Sequence, residues 1–126
     1  MNHADVQSWL DRYVAAWRSN DPAEIGALFS DDAVYRYRPY GGDAHATTGR
    51  EAIVAAWLDE GDAPDSWEAR YEPFAVEGDR AAATGFSRYL ATADAPERTY
   101  QNVFLLRFAA DGTCREFTEL YMLEEE

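Results

Sequence analysis

Ala27-Leu28-Phe29-Ser30-Asp31-Asp32-Ala33-Val34-Tyr35 is where the chain changes its period. Ile25, Leu28 and Phe29 read as the buried face of a short helix, and Ser30-Asp31-Asp32 as its break. Ala33-Val34-Tyr35-Arg36-Tyr37-Arg38 then reads as a strand, because β-formers dominate it. Upstream, Val6, Leu10, Tyr13, Val14 and Trp17 recur at spacings of three and four, which predicts a helix from Asp5 to Asn20 with one apolar face. Asp21-Pro22-Ala23-Glu24 opens the short helix: Asp21 caps it, Pro22 suits its first position and Glu24 completes a capping box.

Downstream, Pro39 to Thr47 is a loop containing Gly41, Gly42 and His45. Thr48-Gly49-Arg50-Glu51 reads as another capping box, starting a third helix through Ile53, Val54, Trp57 and Leu58. Gly61 to Ser66 ends that helix. The remainder is strand-like. Trp67 to Val76 is one strand or a broken pair, and Glu77-Gly78-Asp79-Arg80 is a hairpin turn. Ala81 to Ala91 returns, Thr92 to Glu97 turns, and Arg98 to Phe108 is a long apolar strand. Asp111-Gly112 marks a tight turn before a last strand, Cys114 to Leu123. Helices with one early strand, followed by an antiparallel meander, define an α+β pattern. There is no internal repeat or linker, so residues 1–126 read as a single domain.

The formal net charge is −13, from 24 acidic residues against 11 basic ones, all of them arginine. Such a surface repels nucleic acid and anionic membranes, so neither is an expected partner. Cys114 is alone and makes no internal disulfide or zinc cluster. His3 and His45 without a cysteine partner give no metal site. No Ser-His-Asp arrangement, phosphate-binding glycine loop or dinucleotide fingerprint is present, and no cofactor is implied. No segment has the length to span a bilayer and no signal-peptide pattern is visible, which makes cytoplasm the expected compartment.

Several strings occur in a telling order: Tyr13-Val14-Ala15-Ala16-Trp17, Asn20-Asp21, Ala27 to Tyr35, Gly49-Arg50-Glu51-Ala52-Ile53, the Asp111-Gly112 turn, and Phe117-Thr118-Glu119-Leu120-Tyr121. Together they resemble the nuclear transport factor 2-like superfamily, and most of all its polyketide cyclase-like (SnoaL-like) branch. The resemblance implies a cone-shaped curved antiparallel or mixed sheet wrapped around three helices from the N-terminal half, a cystatin-like α+β roll with a ligand cavity inside. It is specific for fold and weak for function, since that fold hosts isomerases, cyclases, hydrolases, dehydratases and non-catalytic binders.

Ketosteroid isomerase, a member of that superfamily, tests the chemistry. Its first-helix tyrosine, an oxyanion donor, falls on Tyr13. Its general-base aspartate falls on Tyr37, and its protonated aspartate on Phe104. Without a base no proton leaves carbon, so steroid isomerisation is disfavoured.

The same resemblance, with strand alternation, implies the cavity walls. They are Tyr35 and Tyr37 on the first strand; Tyr100, Asn102, Phe104 and Leu106 on the long strand; Phe117, Glu119 and Tyr121 on the last. Tyr13 and Trp17 come from the first helix and Trp57 from the third. The favoured register of the Ala81 strand places Ala83, Gly85, Ser87 and Tyr89 inside; the other offers Thr84, Phe86 and Arg88. Aromatic walls with hydroxyls suit a small, ring-containing organic molecule.

Glu119 is the expected inward carboxylate, satisfied by Tyr13, Tyr37 or Asn102. It is either a general acid or base, or a structural anchor. Asp32 caps or turns. His45 stands in a loop over the expected cavity mouth, where it is either a general base or without a role. Three functions compete. The first is an enzyme of cyclase, isomerase or dehydratase type, with Glu119 and His45 moving protons and Tyr13 donating to an oxyanion. The others are a non-catalytic ligand-binding domain and a protein-interaction module. Val103, Leu105, Leu120 and Met122 are expected on the outer sheet face, making a two-fold homodimer through that face the expected assembly.

Overall fold

The structure, a computed structural model, describes residues 1–125. The N-terminal period becomes helix α1, His3–Ser19, which buries Val6, Trp9, Leu10, Tyr13 and Ala16. It starts ahead of Asp5 because Asn2 and Asp5 cap each other. The Asp5 N–H donates to Asn2 Oδ1 at 2.8 Å, and the Asn2 N–H donates to Asp5 Oδ2 at 2.9 Å. Asn20 ends the helix in the left-handed region, at φ 54°.

Helix α2 is only Pro22–Gly26. Asp21 caps it as expected, accepting from the Ala23 N–H at 2.8 Å. Glu24 does not complete a capping box; its carboxylate instead accepts from the Ser19 hydroxyl at 2.6 Å. Leu28 and Phe29 are buried, but not as helix. Phe29 begins strand β1, Phe29–Arg36, and Ser30-Asp31-Asp32 forms an irregularity inside that strand rather than a break before it. Tyr37 and Arg38 lie beyond its end.

Strand β2, Thr47–Thr48, pairs antiparallel with Val34 and Tyr35. That pairing explains why helix α3, Arg50–Glu60, lacks the expected capping box. Thr48 is held in the sheet, and Gly49, at φ 95°, is the cap with no side-chain bond. The Gly49 N–H goes to the Ala33 carbonyl at 2.7 Å.

Four long strands follow: β3 Trp67–Glu77, β4 Arg80–Tyr89, β5 Arg98–Phe108 and β6 Cys114–Leu123. The segment from Trp67 is thus one strand, with an irregularity between Pro73 and Ala75. The sheet order is β2-β1-β6-β5-β4-β3. All neighbours are antiparallel except β1 and β6, which are parallel, so β6 joins the early strand to the meander. The irregularities in β1, in β3 and between Arg107 and Phe108 bend the sheet. The helices fill its concave face. This is the α+β architecture expected from the sequence.

The core is aromatic. Trp9 lies edge-on to Phe29 and Phe108, with ring centroids 6.0 Å and 5.8 Å away. Its indole N–H donates to the Leu28 carbonyl at 3.0 Å, satisfying the one polar atom it buries and tying α1 to the entry of β1.

Candidate functional site

A cavity of about 570 Å3 lies between α1, α3 and the concave face of the sheet. Alternation along each strand decides what it meets. β5 contributes Tyr100, Asn102 and Phe104, and β6 contributes Glu119 and Tyr121. β4 contributes Ser87 and Tyr89, in the favoured register, with Ala83 fully buried behind them. From β1 come Tyr35 and, just past its end, Tyr37. Tyr13 and Trp17 project from α1, and Trp57 from α3.

Glu119 stands in a hydrogen-bond relay. The Tyr35 hydroxyl donates to Glu119 Oε2 at 3.3 Å, and the Tyr35 oxygen lies 3.1 Å from the Tyr13 hydroxyl. With Tyr35 donating to the carboxylate, Tyr13 donates to Tyr35. Burial pushes the Glu119 carboxyl up to about 7; the Tyr35 bond opposes that rise and the Glu60 charge adds to it. Burial also raises Tyr13 and Tyr35 well above the ordinary phenol range, with the Glu119 charge second. Both therefore stay protonated donors while Glu119 exchanges its proton near neutrality.

A second relay crosses the strands. Tyr71 of β3 is hydrogen-bonded to Ser87, whose hydroxyl donates to Asn102 Oδ1 at 2.9 Å. Asn102 is thus engaged by Ser87, and of the three partners expected for Glu119 none makes the direct bond; Tyr13 reaches it through Tyr35. Gly85 makes this relay possible. A Cβ there would collide with the Arg70 carbonyl and come within 2.6 Å of Tyr71 Cδ1. The lone glycine inside a strand pattern was the available signal that a neighbour presses close.

Three residues expected at the cavity, Phe117, Leu106 and His45, do not line it; Leu106 is buried in the core. Phe117 is fully buried, with Tyr35 stacked on it at 4.4 Å between centroids and Tyr13 at 5.4 Å. It supports the wall rather than being the wall, because the Tyr13 and Tyr35 rings lie over it. His45 is exposed in the Pro39–Ala46 loop and does not line the cavity, since that loop folds outward, with Arg36 held to Asp43 at 2.8 Å. Asp32 is exposed and accepts from the Ser30 hydroxyl at 3.0 Å, a local turn as expected.

Sequence reasoning missed the acidic side of the cavity. Glu60 and Asp62, at the end of α3, line it together with Arg98 and Asn20. Asp62 accepts from the Trp17 indole N–H at 3.0 Å. Burial, then the Asp62 and Asp59 charges, raise the Glu60 carboxyl. The tail of α3 read only as a helix end, and its acids carried no periodic signal. Among the described residues, no three His, Cys, Asp or Glu side chains come close enough to hold a metal ion. No helix there is long and apolar enough to cross a membrane.

Three helices seated in a bent mixed sheet, with a cavity between them, make the nuclear transport factor 2-like architecture. The chain belongs to the SnoaL-like domain family, which it matches over residues 10–117. Solved structures with this architecture include nuclear transport factor 2-like proteins of unknown function from three bacteria. The Burkholderia xenovorans protein is 18% identical with a TM-score of 0.71, over 98% of this chain and 87% of that one. The Cytophaga hutchinsonii protein is 14% identical with a TM-score of 0.67, over 92% and 98%. The Mesorhizobium loti protein is 22% identical with a TM-score of 0.63, over 95% and 93%. At these identities the likeness is one of fold. No curated protein matches the chain.

Proposed function

We propose that the chain is a small-molecule enzyme of cyclase, isomerase or dehydratase type, acting on a ring-containing or polyketide-like compound held in the cavity. The observation that carries this reading is the Glu119 carboxyl, placed in an aromatic cavity with a carboxyl value near 7 and a Tyr35–Tyr13 relay behind it. A carboxylate so poised takes a proton from an activated carbon or hydroxyl and returns it elsewhere. The tyrosine pair holds its orientation and carries the hydrogen bond into the protein. Turnover of ring-containing ketones by the purified protein tests this. Glu119→Gln should lower kcat by at least about a hundredfold while substrate binding persists. Unchanged turnover in that variant removes Glu119 from the chemistry.

One observation favours a non-catalytic ligand-binding domain instead. Tyr13, the single match to the ketosteroid isomerase machinery, is only 7% exposed and its hydroxyl is already committed to Tyr35. That reading predicts thermal stabilisation by ligands with no product formed.

The assembly we propose is a two-fold homodimer through the outer sheet face, with residues 1–126 of each copy acting as one cytoplasmic domain. Its support is the exposure of Leu105 (46%) and Met122 (75%) beside Val103 (37%) on that face. Light scattering that gives a monomer mass at micromolar concentration removes it.

A further inference from the structure

We propose that the cavity takes a cationic ligand: an organic ammonium or related nitrogen cation carried on an aromatic or other ring frame. The proposal rests on the cavity's being a ligand site and names the class of ligand. Its first support is the charge of the lining. Glu60, Asp62 and Glu119 face the cavity and Arg98 is the sole cationic side chain among its lining residues. None of those three carboxylates belongs to an ion pair among the described residues; the arginines that pair with acids do so on the outer face and at the turns. Arg98 itself lies over the Tyr89 ring, 4.7 Å from its centroid.

The carboxylates also act on one another. Glu60 raises Glu119, and Asp62 raises Glu60, as neighbouring like charges do. A cation in the cavity relieves both. A neutral ligand relieves neither, and an anionic ligand makes a fourth like charge.

The walls supply the second support, independent of the acids. Seven tyrosines, with Trp17 and Trp57, line this space. Ring faces attract organic cations, and more strongly where water is excluded. The third is size. Among the described residues these acids form no metal-binding group of three, while a cavity of about 570 Å3 accommodates a ligand of one or two rings. The net charge of −13 draws such a cation in from a distance and turns anions away.

The test compares three probes of one shape: naphthylethylammonium, naphthylethanol and naphthylpropanoate, titrated calorimetrically at low salt and about pH 8, above the value of about 7 to which burial pushes Glu119. The ammonium should bind at least about tenfold more tightly than the alcohol, and the propanoate should give no binding heat. Combining Glu60→Gln with Asp62→Asn should weaken the ammonium by about tenfold and leave the alcohol within about twofold. The amides keep an oxygen for Trp17, and undiminished binding of the alcohol reports an intact fold. Alcohol binding equal to or tighter than ammonium binding overturns the cationic class and leaves the ligand site standing. A preference that survives the double substitution overturns the part assigned to Glu60 and Asp62. Failure of all three probes to bind overturns the cationic class and the ligand site together.

Discussion

The closed end of the core and its open end are both built of aromatic rings, but of different ones. At the closed end Trp9, Phe29, Phe108 and Phe117 are almost wholly excluded from water. At the open end seven of the eight tyrosines line the cavity, against one of the six phenylalanines, Phe104. A buried hydroxyl without a partner costs about 1–3 kcal/mol, so a ring that packs on all sides is best left bare or, as in Trp9, given a single satisfied donor. A hydroxylated ring is favoured where its oxygen meets a partner, water or a ligand. The tyrosines thus mark which part of a continuous aromatic cluster is wall and which is filling.

The largest effect that could break this contrast comes from the closed end. Phe117→Ala should cost about 3–5 kcal/mol of stability in urea denaturation, because it removes the ring on which Tyr13 and Tyr35 stack. A loss under 1 kcal/mol would mean that Phe117 is not core.

Glu119 gives the next effect, and its sign depends on pH. Folding raises its carboxyl from an ordinary value of 4.5 to about 7, so the folded chain holds that proton more tightly than the unfolded one. Its contribution to stability is complete below 4.5 and is lost as pH rises through 7. Glu119→Gln should therefore be more stable than the parent by up to about 3 kcal/mol above pH 8, with the difference vanishing near pH 4. Parallel stability curves for the two proteins across that range would show that Glu119 is solvated in the native state.

Two tyrosine substitutions complete the series. Tyr71→Phe removes one hydroxyl from the Ser87–Asn102 relay and should cost about 1 kcal/mol by thermal unfolding. Tyr100→Phe touches a hydroxyl with no partner among the described residues and should change stability by less than about 0.5 kcal/mol. If Tyr100→Phe costs as much as Tyr71→Phe, the contrast between relay and lining tyrosines fails.

Much of this contrast was legible in the residues. The family resemblance, with alternation from Arg98 to Phe108 and from Cys114 to Leu123, placed Asn102, Phe104, Glu119 and Tyr121 inward, and the favoured β4 register put the small residues Ala83 and Gly85 on the same side. The Tyr35–Glu119 bond was not legible. It follows from parallel pairing that sets Tyr35 opposite Phe117, and no local pattern reports a partner so distant in sequence. The α3 cap was misread because Thr48, free to cap in sequence terms, is claimed by β2. Glu60 and Asp62 were missed because acids at a helix end are ordinarily solvated, and only the cavity beside them sets these two apart.

The place of β6 in the sheet has a consequence for the order of folding. β1 has no long neighbour except β6, so roughly the first third of the chain must await the last strand before its sheet edge is closed. α1 can lie down early on β3, whereas the relay from Tyr13 through Tyr35 to Glu119 is completed only when the final hairpin docks. Contacts of such long sequence separation slow folding. In synthesis from the N-terminus, Glu119 would meet Tyr35 only after Tyr13, Tyr71 and Phe104 have already emerged.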